Sequence, residues 1–384
     1  MLNFKPLKTK ALIMQRNITQ KKVFVNTGEF PSNCGLTGLA SIQTSKIRLM
    51  SRKYKIQKVD NIFGIKEYCI VFGSQRTELQ GIKKQTMKKT FSILAFSILT
   101  ILCFAQDYKS QFDQLCQDGD TIKQTELLTK WESEDPMNPE LFTSYFNYYF
   151  LKSRQEFVSM STNQPKGESL QLQDSTGKVA GFLGSEIVYN PEILQKGLDK
   201  IDQGIKMFPN RLDMRFGKIY AHGQAKDWEN FTNEIVKTIQ YSKKNNNEWT
   251  WTFNEKRENG KEFFLGSIQD YQMNLYETEN DDLLKNMRTI AEEILKIYPD
   301  HIESFSNISI TYLLTGEYDK GIDALLKAVK IDPKDGVVLS NIAHGYKLKG
   351  DIDNSIKYYE KMLKLEDPRA VEFAKQQIKA LKNK

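Results

Sequence analysis

IESFSNISITYLLTGEYDKGIDALLKAVKIDPKD, residues 302–335, runs directly into GVVLSNIAHGYKLKGDIDNSIKYYEKMLKLEDP, residues 336–368. The second stretch is the first written again 34 residues later. Asn307, Ile308 and Tyr312 return as Asn341, Ile342 and Tyr346, and Gly316-Glu317-Tyr318 returns as Gly350-Asp351-Ile352. Self-similarity at such a period marks a repeat array, in which each unit buries its apolar face only against a neighbour. Phe305, Ile308 and Tyr312 are three and four apart, as are Gly321, Leu325 and Ala328. Each unit therefore predicts two amphipathic helices. Gly316 permits the tight turn between them, small Gly321 and Ala328 let them approach closely, and Pro333 stops the second helix.

These positions resemble the tetratricopeptide repeat (TPR) family. Phe305, Ile308, Tyr312, Gly321, Leu325, Ala328 and Pro333 stand at the family's places for Trp, Leu, Tyr, small, Phe, small and Pro. The next unit keeps Leu339, Ile342, Ala343, Tyr346, Gly350, Ser355, Tyr359 and Met362, with its proline one place late at Pro368. Val371, Phe373, Ala374, Ile378 and Leu381, set among Lys and Gln, read as a terminal capping helix within 369–384. The resemblance implies an all-α, TPR-like α-solenoid.

Upstream, the same punctuation continues. Gly119-Asp120, Leu128, Trp131 and Pro136 fit a unit beginning near Ala105, and residues 194–208 read as a second helix ending at Pro209. From Leu212 a further unit carries Phe216, Ile219 and Tyr220, then Asp227-Trp228, Phe231, Ile235 and Ile239. A degenerate unit over 261–299 has a good second helix in Ala291, Ile294, Leu295 and Ile297 but no glycine between its helices. The expected total is about six helix pairs. Two interruptions break the pattern. A helix over 140–157 is followed by an insertion, 159–190, in which alternating Ser169-Leu170-Gln171-Leu172-Gln173, turn-forming Asp174-Ser175-Thr176-Gly177 and an apolar run from Lys178 predict a small β-hairpin. Phe142, Tyr145, Phe146, Tyr148, Tyr149 and Phe150 occupy more than one face of that helix, so the insertion is expected to fold back over them. The second interruption is Lys243-Lys244-Asn245-Asn246-Asn247, a polar loop leading to Trp249-Thr250-Trp251.

The formal net charge of +7 belongs to one end of the chain: residues 1–86 carry +12 and the remainder −5. The repeat-bearing part therefore lacks the basic footprint of a nucleic-acid binder. Met87 opens a stretch with the three parts of a secretory signal peptide: Lys88 and Lys89, an apolar run over 91–104, and small residues ending at Ala105. The run is shorter than the ~20 apolar residues that span a bilayer. The expected organisation is an over-extended gene start at 1–86, a signal peptide at 87–105 and a solenoid over 106–384. That places the mature chain in the periplasm or outside the cell after cleavage near Ala105, or anchored to the membrane if the signal is retained. Cys34, Cys69, Cys103 and Cys116 have no zinc-type spacing.

No catalytic set is legible. His222, His301 and His344 lie on different units, and none has a second ligand at helical spacing. No cofactor or metal site is expected. What the TPR resemblance implies is a concave wall of first helices that holds an extended peptide or a partner helix. Glu303, Ser306, Asn307, Ile310 and Leu314 would line it, with Ser340, Asn341, His344 and Lys347 in the next unit. Asn307 and Asn341 would form an amide ladder able to clasp a peptide backbone. Glu303 and Val337 stand where carboxylate-gripping members of the family have cations, against that mode. The expectation is thus a non-catalytic interaction scaffold with a protein partner, no nucleic acid and no stable membrane span in the mature chain. An alternative from another class is a carbohydrate binder stacking sugars on Trp249, Trp251 and the cluster from Tyr145 to Tyr149. A third is an enzyme with its site under the inserted hairpin.

Overall fold

The computed structural model describes residues 107–163, 169–174 and 177–383. The expected gene-start extension and signal peptide lie outside these residues. The described chain falls into two compact units that divide after Asp135.

The first is a single helix pair, α1 (Tyr108–Gln117) and α2 (Thr121–Glu134). Asp107 and Asp120 start the two helices by accepting backbone N–H groups that have no partner inside a first turn. Tyr108 stacks on Trp131 with ring centres 5.4 Å apart. Its hydroxyl donates to Glu134, while Phe112 and Leu128 are fully buried.

The second unit contains five further pairs and a cap. α3 (Pro139–Ser153) pairs with α4 (Pro191–Met207), α5 (Leu212–Gln224) with α6 (Trp228–Lys244), and α7 (Gly260–Glu277) with α8 (Leu284–Ile297). α9 (Ile302–Leu314) pairs with α10 (Tyr318–Ile331) and α11 (Gly336–Lys349) with α12 (Ile352–Met362), against which α13 (Pro368–Lys382) packs as the cap. The architecture is the expected TPR-like solenoid of helix pairs. Close approach at Gly321 is visible in the packing: a Cβ there would lie 2.8 Å from Leu313 Cδ2 and 3.1 Å from the Ser309 carbonyl. The turns inside pairs need one residue with positive φ. Gly119, Gly316 and Gly350 supply it in three pairs, Lys226 (φ 58°) and Glu279 (φ 59°) in two others. The glycine missing from the degenerate unit is thus replaced by a strained glutamate, not by a different turn.

The insertion is larger than the expected hairpin. β2 (Ser169–Gln173) and β3 (Val179–Tyr189) form that hairpin, and β1 (Arg154–Ser161) pairs antiparallel with the other edge of β3, in the order β1-β3-β2. The helix expected over 140–157 therefore stops at Ser153. The Ser153 carbonyl accepts from the Asn190 amide at 2.7 Å, closing the root of the sheet, and the residues that follow pair with β3 as a strand.

Most aromatic rings of α3 are covered by neighbouring helices, and the insertion contributes only Tyr189 to them. Phe142 and Phe146 pack among Leu194, Leu198 and Ile201 of α4 and Met214 and Ala221 of α5. Phe150 stacks on Tyr189 at 5.1 Å and meets Tyr220 edge-on at 5.8 Å. The expected fold-back is limited to Tyr189, because successive helix pairs bury more than one face of a first helix, one within the unit and one against its neighbour.

Candidate functional site

α9 and α11, first helices of the two best-preserved units, pack against each other, and Ser340, Asn341, His344 and Lys347 share one face of α11 by their spacing. Asn341 is 3% exposed and Ser340 8%. Nε2 of His344 and Oγ of Ser306 are buried and lack partners among the described residues. Burial, reinforced by the Lys347 ammonium, pushes the His344 imidazole down to about 4, so the ring is neutral at pH 7. Buried polar groups are ordinarily bonded to protein or ordered water. Ser306 and His344, on adjoining helices, therefore contribute to this wall two polar atoms whose hydrogen-bonding capacity is not used among the described residues.

The other expected groove residues are placed differently. Asn307 is held by Gln269 of α7 in a reciprocal amide pair, with Gln269 Nε2 donating to Asn307 Oδ1 at 3.1 Å and Asn307 Nδ2 donating to Gln269 Oε1 at 2.7 Å. It ties two first helices together, so the Asn307–Asn341 ladder is not a pair of free amides. Ile310, 3% exposed, belongs to the core cluster with residues of α5 to α8. Glu303 is half-buried, with Oε2 3.5 Å from His301 Nε2. Leu314 is exposed and Lys347 half-buried.

The sugar platform is overturned by burial. Trp249 is 0% exposed and packs on Phe264 at 5.4 Å. Trp251 is half-buried, edge-on to Phe216 and Phe263, with the Arg257 guanidinium 5.3 Å from its ring centre. Of the other histidines, His222 Nδ1 lies 3.1 Å from Asp227 Oδ2, and His301 Nδ1 lies 2.8 Å from Ser304 Oγ. Among the described residues no three His, Cys, Asp or Glu side chains converge as metal ligands, and no helix is long and apolar enough to cross a membrane.

Two features escaped the reading of the sequence. Arg211, 1% exposed, donates to both Glu140 oxygens at 2.7 and 3.2 Å and to both Asp213 oxygens at 2.8 and 2.7 Å. Glu140 Oε1 also accepts the Phe253 amide at 2.7 Å. Burial works against the Arg211 cation, but Asp213 and Glu140 more than offset it and keep the guanidinium charged. The second is a cleft of about 510 Å³ between α8, α9 and α10, floored by Phe305, Ile308 and Tyr312. Phe305 is smaller than the tryptophan of the family's pattern at that place, and all three rings or side chains remain half-buried.

Several solved structures are similar to the chain at low identity. The chain is similar to YrrB, described as a TPR protein with an unusual peptide-binding site, at 12% identity over 65% of this chain and 97% of that one, with a TM-score of 0.32. It is similar to a tetratricopeptide repeat protein from Parabacteroides merdae ATCC 43184, at 12% identity over 72% and 86% of the two chains, with a TM-score of 0.28. A third likeness, to the P58(IPK) TPR domain, has 12% identity over 79% and 71%, with a TM-score of 0.25. At such scores none of them bears on what the chain binds. No curated protein sequence matches it. The sequence model of the tetratricopeptide repeat family matches residues 302–335 and 338–367, and these two units are tetratricopeptide repeats.

Proposed function

We propose that the chain is a non-catalytic scaffold that holds an extended peptide or partner helix against the α9–α11 wall. The observation that carries this is the pair formed by Ser306 Oγ on α9 and His344 Nε2 on α11, both without a hydrogen-bond partner among the described residues, beside Ser340 and Asn341 on the same face of α11. A peptide backbone offers alternating donors and acceptors that match amide, hydroxyl and imidazole groups without demanding charge. Lys347 at the end of that face adds a cation, so segments with an acidic residue there gain most. The contact set excludes Ile310 and Asn307, which are engaged in the core and with Gln269. A position in the cell envelope or exterior is part of this reading and rests on the signal-peptide pattern of residues 87–105.

Peptides selected from a random display library on the full chain test it. Asn341→Ala combined with His344→Ala should weaken the selected peptides at least about tenfold, equivalent to ~1.4 kcal/mol, while Lys379→Ala on α13 leaves them unchanged. Peptides that bind the double variant as tightly as the parent would place the site elsewhere.

A further inference from the structure

Leu314 and Leu348 occupy the same place in consecutive units, 34 residues apart, at the C-terminal ends of α9 and α11. Both stay open to solvent, at 39% and 37%. Leu348 follows His344 by four residues and Asn341 by seven, so it extends the face that carries them. Leu314 follows Asn307 by seven on the matching face of α9. The two helices approach within 8 Å between Cα atoms, and packed helices lie ~8–10 Å apart. The wall therefore presents an exposed leucine twice, at about that pitch. The same helices carry Ser306 Oγ and His344 Nε2, which have no hydrogen-bond partner among the described residues. Both of these side chains are only half-buried.

From this we infer that the occupant of the α9–α11 wall is a peptide segment in the polyproline II conformation, with apolar side chains at positions i and i+3 that meet Leu314 and Leu348. The inference rests on the peptide-holding role proposed above and names the segment that fills it. Pitch selects among backbone conformations. Polyproline II rises ~3.1 Å per residue with three residues per turn, so i and i+3 point the same way ~9 Å apart. A β-extended segment returns to one side at i+2 and i+4, after ~7 and ~13 Å, and misses the pitch. A helix would match it at i+7, after ~10.5 Å. Hydrogen bonding separates those two. A helix spends its backbone groups internally, whereas polyproline II leaves every N–H and C=O unbonded. A hydroxyl both donates and accepts, and the neutral imidazole offers one nitrogen for either role. Ser306 and His344 therefore complement the second kind of backbone and have nothing to meet on the first.

Calorimetric titration of the full chain with synthetic peptides of Ser, Pro and Glu that carry two leucines tests this. The expected result is that the peptide with leucines at i and i+3 binds at least about tenfold tighter than those with i+2 or i+4, and that proline between the leucines is tolerated. Leu314→Ser with Leu348→Ser should bring the i+3 peptide down to the level of the others. Leu314→Met with Leu348→Met, which stays apolar, should keep the preference. Both leucines are more than a third exposed, so the helical circular dichroism of each variant should match that of the parent. Binding indifferent to leucine spacing, or a preference for i+7 that proline abolishes, overturns the inference. If library-selected peptides still depend on Asn341 and His344 in that case, the wall reading stands without it. If no peptide of either kind depends on them, both readings fall.

Discussion

His344 shows how one side chain carries two signals. Its ring is inside the wall of α11 with Nε2 unbonded, and burial and Lys347 hold its pKa at about 4, against ~6.5 in an unfolded chain. The folded state therefore favours the neutral ring, and the unfolded state takes up the proton first as pH falls. The stability this ring contributes is fully present above about pH 6.5 and is lost on acidification towards pH 4, by on the order of 3 kcal/mol. His222, also pushed down by burial although Asp227 opposes it, adds in the same direction. His344→Gln should flatten this acid limb in denaturant unfolding measured from pH 7 to 4. A variant whose midpoint falls with pH as steeply as the parent's would show that the ring is hydrated in the fold. In the sequence, its spacing from Asn341 places His344 on the same face of α11. Spacing could not show that Asn307, at the same place one unit earlier, is satisfied by Gln269, because that bond joins residues 38 apart on units whose register is degenerate.

At the scale of elements, the turn inside each pair decides how much of the array is readable. Gly316 and Gly350 announce themselves because glycine alone takes positive φ without steric cost. Lys226 and Glu279 do the same work with a Cβ, so the turn between α7 and α8 left no mark in the sequence although its geometry is kept. A non-glycine residue in this region costs roughly 1–2 kcal/mol, partly offset because glycine loses more entropy on folding. Glu279→Gly and Lys226→Gly should each stabilise the chain by about 0.5–1 kcal/mol, while Gly316→Ala, placed in the same conformation, should cost about 1–2 kcal/mol. Differential scanning calorimetry of the three variants tests the sign, and destabilisation by both glycine substitutions would mean the Lys226 and Glu279 side chains hold their turns. The insertion was legible where alternation was clean, in β2 and β3, and missed in β1. There the aromatic run of α3 continues into residues that satisfy either period over a short window.

Across the whole of residues 136–383, consecutive pairs are joined by different chemistry at different points. The C-terminal units meet through apolar packing of Ile322, Leu325, Leu339 and Tyr359 in one cluster, and the three-and-four spacing of apolar residues encodes that directly. The α7–α9 junction adds the Gln269–Asn307 amide pair. Nearer the first pair of this unit, the start of α3, the start of α5 and the loop at 252–254 converge on Arg211, which no periodicity predicts. That ion set has desolvated two carboxylates and a guanidinium, so removing the cation leaves Glu140, 3% exposed, charged without its partner. Breaking a buried pair in this way costs about 3–5 kcal/mol. Arg211→Met keeps the length and volume of the side chain and removes only the charge and its donors. Since each unit of a solenoid is stabilised by its nearest neighbours, the loss should remain local: amide exchange in α3, α4 and α5 should accelerate, while α11, α12 and α13 keep their protection. Acceleration spread evenly over all helices would instead mean that residues 136–383 unfold as one cooperative block, with Arg211 coupling the array end to end.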